Sequence, residues 1–139
     1  MPTGTYTLVL ELIDGATVEV GALGSHRFGP GHYAYTGSAF GAGGLSRVDR
    51  HRDLAAGERE VRHWHIDYLL CHPGTDLRTV VTTEGEDVEC AVAGRLPEGP
   101  VDGFGASDCD CDCESHLATL GENPVDTVRA AHERARSGR

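Results

Sequence analysis

The stretch Gly4-Thr5-Tyr6-Thr7-Leu8-Val9-Leu10-Glu11-Leu12-Ile13-Asp14-Gly15-Ala16-Thr17-Val18-Glu19-Val20 sets the class of the chain. Thr5 to Leu12 alternates and is rich in β formers, Asp14-Gly15 is a tight-turn pair, and Thr17 to Val20 resumes the alternation. Together they predict a hairpin. Beyond the glycines at 21, 24, 29 and 31, the run His32-Tyr33-Ala34-Tyr35-Thr36-Gly37 is aromatic and β-branched enough for another strand. Gly41 to Gly44 then loosens the chain before a predicted helix over Leu45 to Leu54, with Leu45, Val48 and Leu54 inward. A second helix is expected over Val61 to Leu70, with Trp64 and Tyr68 as core and Pro73-Gly74 as the stop. Leu77 to Thr83 reads as a short strand, and Glu86 to Leu96 as a third helix closed by Pro97. From Pro124 to about Arg136 the pattern is helical, yet polar enough to fray or dock weakly. The order β, β, β, α, α, β, α predicts an α+β domain with a small, mainly antiparallel sheet flanked by helices. The domain is expected over residues 1–121, with 122–139 as a polar C-terminal helix or tail.

A chain of 139 residues supports one core. No run approaches the roughly 18 apolar residues of a membrane helix, and the start lacks the basic and apolar regions of a signal peptide. A cytoplasmic protein without a membrane partner is therefore expected. Asp and Glu number 22 against 12 basic residues, every one of them Arg. Lysine is absent. A formal charge of -10 should repel nucleic acid at low salt. In a halophile's cytoplasm, where the Debye length falls to about 3 Å at 1 M, that repulsion is screened. Salt adaptation is the preferred account of the acidic surface. The five Cys include three at Cys109, Cys111 and Cys113, a pattern of a reduced chain with a metal site rather than a disulfide framework.

Several residues carry chemistry. On the first helix Arg47 and His51 stand four apart on one face, beside Arg50. A guanidinium fork suits phosphate oxygens and an imidazole can move a proton beside it. The same residues also read as a solvated face pairing with Asp49, Asp53 or Glu58. On the third helix Glu89 sits at the margin of the stripe Val88, Ala91, Val92 and Leu96, where a carboxylate can serve as a single divalent-metal ligand or stay a boundary residue in water. Cys111, Cys113 and His116, with Cys90 or Cys109, could supply the four sulfur and nitrogen ligands that Zn²⁺ prefers. They read equally as small thiols in an Asp-Cys repeat. His65 and Asp67 are candidates for lining a site.

Gly4-Thr5-Tyr6 and Tyr35-Thr36-Gly37 resemble the two half-motifs of GIY-YIG nucleases, with the middle residue changed. In that family a Tyr-x-Gly strand end is followed by a helix bearing Arg, often with His four residues on, and later by a helix bearing a metal-binding Glu. Arg47, His51 and Glu89 follow that order. Gly31 to Ala39, Arg50-His51, His63-Trp64-His65-Ile66-Asp67-Tyr68-Leu69, Glu89-Cys90 and Phe104 to Cys109 are more specifically similar to a GIY-YIG-related subgroup, mainly archaeal and sometimes fused to an endonuclease III-type repair glycosylase. The resemblance covers about residues 4–120. This chain departs from the subgroup by extra glycines after Ala39 and by two residues inserted in the Cys109 to His116 run.

The resemblance implies a metal-dependent endonuclease that hydrolyses phosphodiester bonds, with DNA ahead of RNA as substrate and DNA repair as setting. It implies that Tyr6 or Tyr35 positions or deprotonates the attacking water, that Arg47 braces the phosphate, that His51 assists proton transfer and that Glu89 holds one Mg²⁺ or Mn²⁺. The alternative is a non-catalytic module that binds nucleic acid or a DNA-repair protein, with the Cys cluster as a structural Zn²⁺ clamp.

Overall fold

Successive side chains of an extended strand point to opposite faces. Along β1 (Gly4–Leu12) this sends Tyr6, Leu8, Leu10 and Leu12 one way and Thr5, Thr7 and Val9 the other, and all of them are buried. Such a strand needs cover on both sides. A computed structural model describes residues 3–20, 24–39, 46–55, 65–70, 72, 74–85, 88–94, 96, 117–121 and 123–137. After β1 come β2 (Ala16–Glu19), β3 (Ser25–Phe28), β4 (Gly31–Ala39), α1 (Ser46–Ala55), α2 (His65–Leu70), β5 (Thr75–Glu84), α3 (Glu89–Gly94), β6 (Leu117–Leu120) and α4 (Pro124–Ser137). The main sheet has four antiparallel strands in the order β5-β1-β4-β6, and β2 with β3 forms a separate two-stranded sheet. The fold is α+β, as the element order predicts.

Two apolar clusters fill the two faces. Tyr6, Leu8, Leu10 and Leu12 pack with Tyr33, Tyr35 and Phe28 and with Val48 of α1 and Ile66, Leu69 and Leu70 of α2. Val9 and Ala34 pack with Val88, Val92 and residues of α4 on the other face. The helices α1 and α2 therefore share one side of the sheet, and α3 and α4 share the other.

The expected hairpin of residues 5–20 does not form. β1 pairs with β4 and β5, whereas β2 pairs with β3, from Ala16 opposite Phe28 to Glu19 opposite Ser25. A nine-residue strand buried on both faces is matched by the nine- and ten-residue strands β4 and β5, not by a four-residue β2. The turn at Asp14-Gly15 instead carries the chain out of the main sheet. Two strands escape the sequence pattern, β3 (Ser-His-Arg-Phe) and β6 (Leu-Ala-Thr-Leu), each only four residues long. The helix expected over 61–70 is described from His65, so Trp64 lies outside the described residues; Tyr68 packs against the first cluster, as expected.

The terminal helix does more than dock weakly. Val128, Ala131, His132 and Ala135 recur at helical spacing and are all buried. His132 Nε2 lies 2.8 Å from Thr7 Oγ1 and its Nδ1 lies 2.8 Å from Thr83 Oγ1. Thr7 Oγ1 is in turn 3.0 Å from Thr36 Oγ1, so one imidazole ties α4 to β1 and β5 and, through Thr7, to β4. Hydroxyls can donate or accept, which lets them satisfy either tautomer of the ring.

Tyr33 donates its hydroxyl to the Gly29 carbonyl at 2.6 Å and meets the Phe28 ring edge-on. Burial pushes its phenol above the ordinary value, and the bond to Gly29 opposes that shift. Tyr33→Phe should cost about 1 kcal/mol near neutrality. With the folded value above the unfolded one, the native state keeps a proton that the unfolded state sheds. That contribution is whole below about pH 10, the unfolded phenol value, and disappears as pH rises through the folded value. Melting at neutral and strongly alkaline pH should therefore show the gap between wild type and Tyr33→Phe closing. A gap that stays constant would mean that the phenol ionises alike in both states.

Candidate functional site

Tyr6 occupies an inward position of β1, opposite Gly37 of β4 and Thr82 of β5. A Cβ added at Gly37 would stand 2.5 Å from the Tyr6 hydroxyl, so the phenol lies across the bare backbone of residue 37. Gly4, at the same end of β1, faces the Thr83 carbonyl, which a Cβ would overlap. Both half-motif glycines thus mark close approaches rather than turns.

His51 lies on α1 three residues after the buried Val48, which turns its ring to the sheet. The Tyr6 hydroxyl is 2.8 Å from His51 Nε2, and the rings are 5.4 Å apart, tilted by 45°. Tyr35, two residues before Gly37 on the same face of β4, meets the His51 ring edge-on at 6.4 Å. Tyr6, Tyr35 and His51 therefore form one cluster, at 1%, 8% and 0% exposure. Such a pair can pass a proton along its hydrogen bond, which is what activation of a water beside a phosphate requires. Equal burial would also suit a hydrogen bond that only fastens α1 to the sheet.

The remaining candidates divide by position. Arg47 lies on α1 one helical turn before His51, but its side chain is outside the described residues. Glu89 is the first residue of α3, again with its side chain outside them. The body of α3 packs on the face opposite α1. Its N-terminal end is fixed where the Val88 amide donates to Thr5 Oγ1 at 3.0 Å, one residue from Tyr6 along β1. The start of α3 is thereby held beside the Gly4 end of β1. The side chains of His65 and Asp67 on α2 and of Cys90 on α3 lie outside the described residues, as do Cys109, Cys111, Cys113 and His116 entirely. Among the described residues no three His, Cys, Asp or Glu side chains gather as a metal cage would need. No helix among them is long and apolar enough to cross a membrane.

A family model described as "domain of unknown function DUF123" matches residues 5–137, from β1 through α4. The chain belongs to the DUF123 family. No curated protein and no solved structure matches it.

Within this DUF123 domain the sequence pattern passes over one buried polar group, the His132, Thr7, Thr36 and Thr83 network. Its signal was available. His132 falls on the inward stripe with Val128 and Ala135, and Thr5 and Thr7 alternate with the apolar face of β1. What hid it is composition, since Asp126, Arg129, Glu133, Arg134 and Arg136 interrupt that stripe along α4.

Proposed function

We propose that this chain is a metal-dependent phosphodiesterase of the GIY-YIG type, an endonuclease acting on nucleic acid with DNA ahead of RNA. The observation that carries the reading is the Tyr6 hydroxyl held 2.8 Å from His51 Nε2 across Gly37, with Tyr35 against the same imidazole. Two Tyr-and-Gly strand segments and one helical His thereby meet at one point. The Tyr6 hydroxyl orients or deprotonates the attacking water, His51 takes up or returns the proton, and Arg47 braces the phosphate. Glu89 suits a divalent cation of the Mg²⁺ or Mn²⁺ kind, which is commonly held by one or two carboxylates, waters and substrate phosphates rather than by a protein cage. When bound, such a cation neutralises charge developing on the reacting phosphate. The acidic, lysine-free composition further suggests a halophilic, cytoplasmic setting, and the subgroup resemblance suggests a DNA-repair partner.

The packing of α3 on the face opposite α1 favours a second reading, a non-catalytic nucleic-acid or repair-complex module whose Cys cluster holds a structural Zn²⁺. Labelled DNA and RNA incubated with Mg²⁺ or Mn²⁺ in molar KCl separate the two. Cleavage that appears with metal and stops with chelator is expected under the first reading. No cleavage of any substrate, together with about one equivalent of Zn²⁺ whose removal loosens the fold, would favour the second.

A further inference from the structure

An open cleft of about 450 Å³ runs along the outer edge of the sheet, lined by Arg52 of α1 and residues 75–80 of β5. Arg52 follows His51 directly in the chain. Val80 pairs with Leu8, two residues from Tyr6 along β1, so the near end of the cleft begins one strand over from Tyr6 and ~7 Å further along the strand direction.

Its second guanidinium is placed by an irregularity. Leu10 pairs with Leu77 and Val9 with Thr79, so Arg78 is the extra residue of a bulge. Bulges re-aim a side chain that regular pairing would fix. Arg52 reaches Asp49 at 3.7 Å and Arg78 reaches Glu11 at 3.6 Å, both with more than half of the guanidinium side chain exposed. Ion pairs of this kind contribute little, so either fork can be exchanged onto a better-fitting phosphate. Deeper in the lining, the Thr75 hydroxyl oxygen is buried without a hydrogen-bond partner among the described residues.

We propose that this cleft is a second phosphate subsite, which takes a backbone phosphate of the strand whose neighbouring diester is presented to Tyr6 and His51. The nature of the ligand rests on the phosphodiesterase reading above. Asp49, Glu11 and Asp76 outnumber the two arginines, and His32 faces Glu11 at 3.6 Å. The attraction is therefore that of two guanidiniums reaching one edge cleft, Arg52 from α1 and Arg78 beside Glu11, and not a positive field, and Asp76 opposes it.

The test is anisotropy of a labelled single-stranded DNA oligonucleotide, with chelator present, across a KCl series. Arg52→Gln with Arg78→Gln should weaken binding at least tenfold and reduce the salt slope by about 0.7, the value for one phosphate of a single strand. Asp76→Asn alone should tighten binding several-fold. Excess inorganic phosphate should compete in the wild type. Unchanged affinity and slope in the double variant would overturn the proposal, and so would inorganic phosphate bound without any oligonucleotide binding. Hydrolysis of bis(4-nitrophenyl) phosphate with Mn²⁺, a diester too short to span both places, should survive the double variant. If the wild type hydrolyses nothing while oligonucleotide binding still depends on both arginines, the phosphodiesterase reading fails and the subsite stands.

Discussion

Gly37→Ala is expected to destabilise the protein by about 3 kcal/mol, seen as a fall of about 10 °C in Tm. The cause is a single contact. A methyl group at residue 37 would sit 2.5 Å from the Tyr6 hydroxyl oxygen and 2.6 Å from its ring carbon, well inside any real contact. Tyr6 cannot simply swing aside, because its hydroxyl is engaged by His51 and its ring is 1% exposed. Overpacking of this kind costs roughly 1–3 kcal/mol, and breaking the buried hydrogen bond adds about 1. A double-mutant cycle isolates the cause. In a Tyr6→Leu background the alanine at 37 has no phenol to strike, so its cost should shrink to about 1 kcal/mol or less. An equal cost in both backgrounds would place the strain elsewhere, and the reading of Gly37 as the floor beneath Tyr6 would fail.

The elements whose period was unbroken could be read from the chain, and those whose partner lay far along it could not. β1, β4 and β5 were visible as alternating or β-branched runs, and α1 and α4 as helical patterns. Pairing was another matter: the Asp14-Gly15 turn signal is local, whereas the preference of β1 for β4 and β5 depends on both its faces being covered by helices that come later. The four-residue β6 was invisible for a related reason, since Leu117 and Ala118 become a strand only against Tyr35 and Ala34. In the site, Tyr6, Tyr35 and His51 were all nameable. Their contact across the sheet, and the reason residue 37 has no side chain, came only with three-dimensional packing. The segregation of α3 and α4 from α1 could not be read from motif order, because order along the chain carries no information about which face a helix takes.

Under the proposed phosphodiesterase reading, Tyr6→Phe should lower metal-dependent cleavage by about 10²- to 10⁴-fold, the range that a positioned proton-transfer group contributes. The same change removes only one hydroxyl from a packed ring, so the loss of stability should stay near 1 kcal/mol. That disparity is what distinguishes chemistry from fastening. If the Tyr6–His51 bond merely holds α1 against the sheet, activity should fall only as far as folding does, and Tyr6→Phe should be almost fully active well below its Tm. Tyr35 serves as the internal comparison. It touches the His51 ring edge-on, whereas the hydroxyl 2.8 Å from Nε2 is that of Tyr6, so Tyr35→Phe should cost less activity than Tyr6→Phe if Tyr6 is the group that handles the water. Should Tyr35→Phe be the more damaging of the two, the assignment reverses. The phenol that meets the substrate would then be Tyr35, the more exposed at 8%, with Tyr6 and His51 acting as its support. Full activity in both single variants, with melting unchanged, would remove the tyrosines from the mechanism altogether.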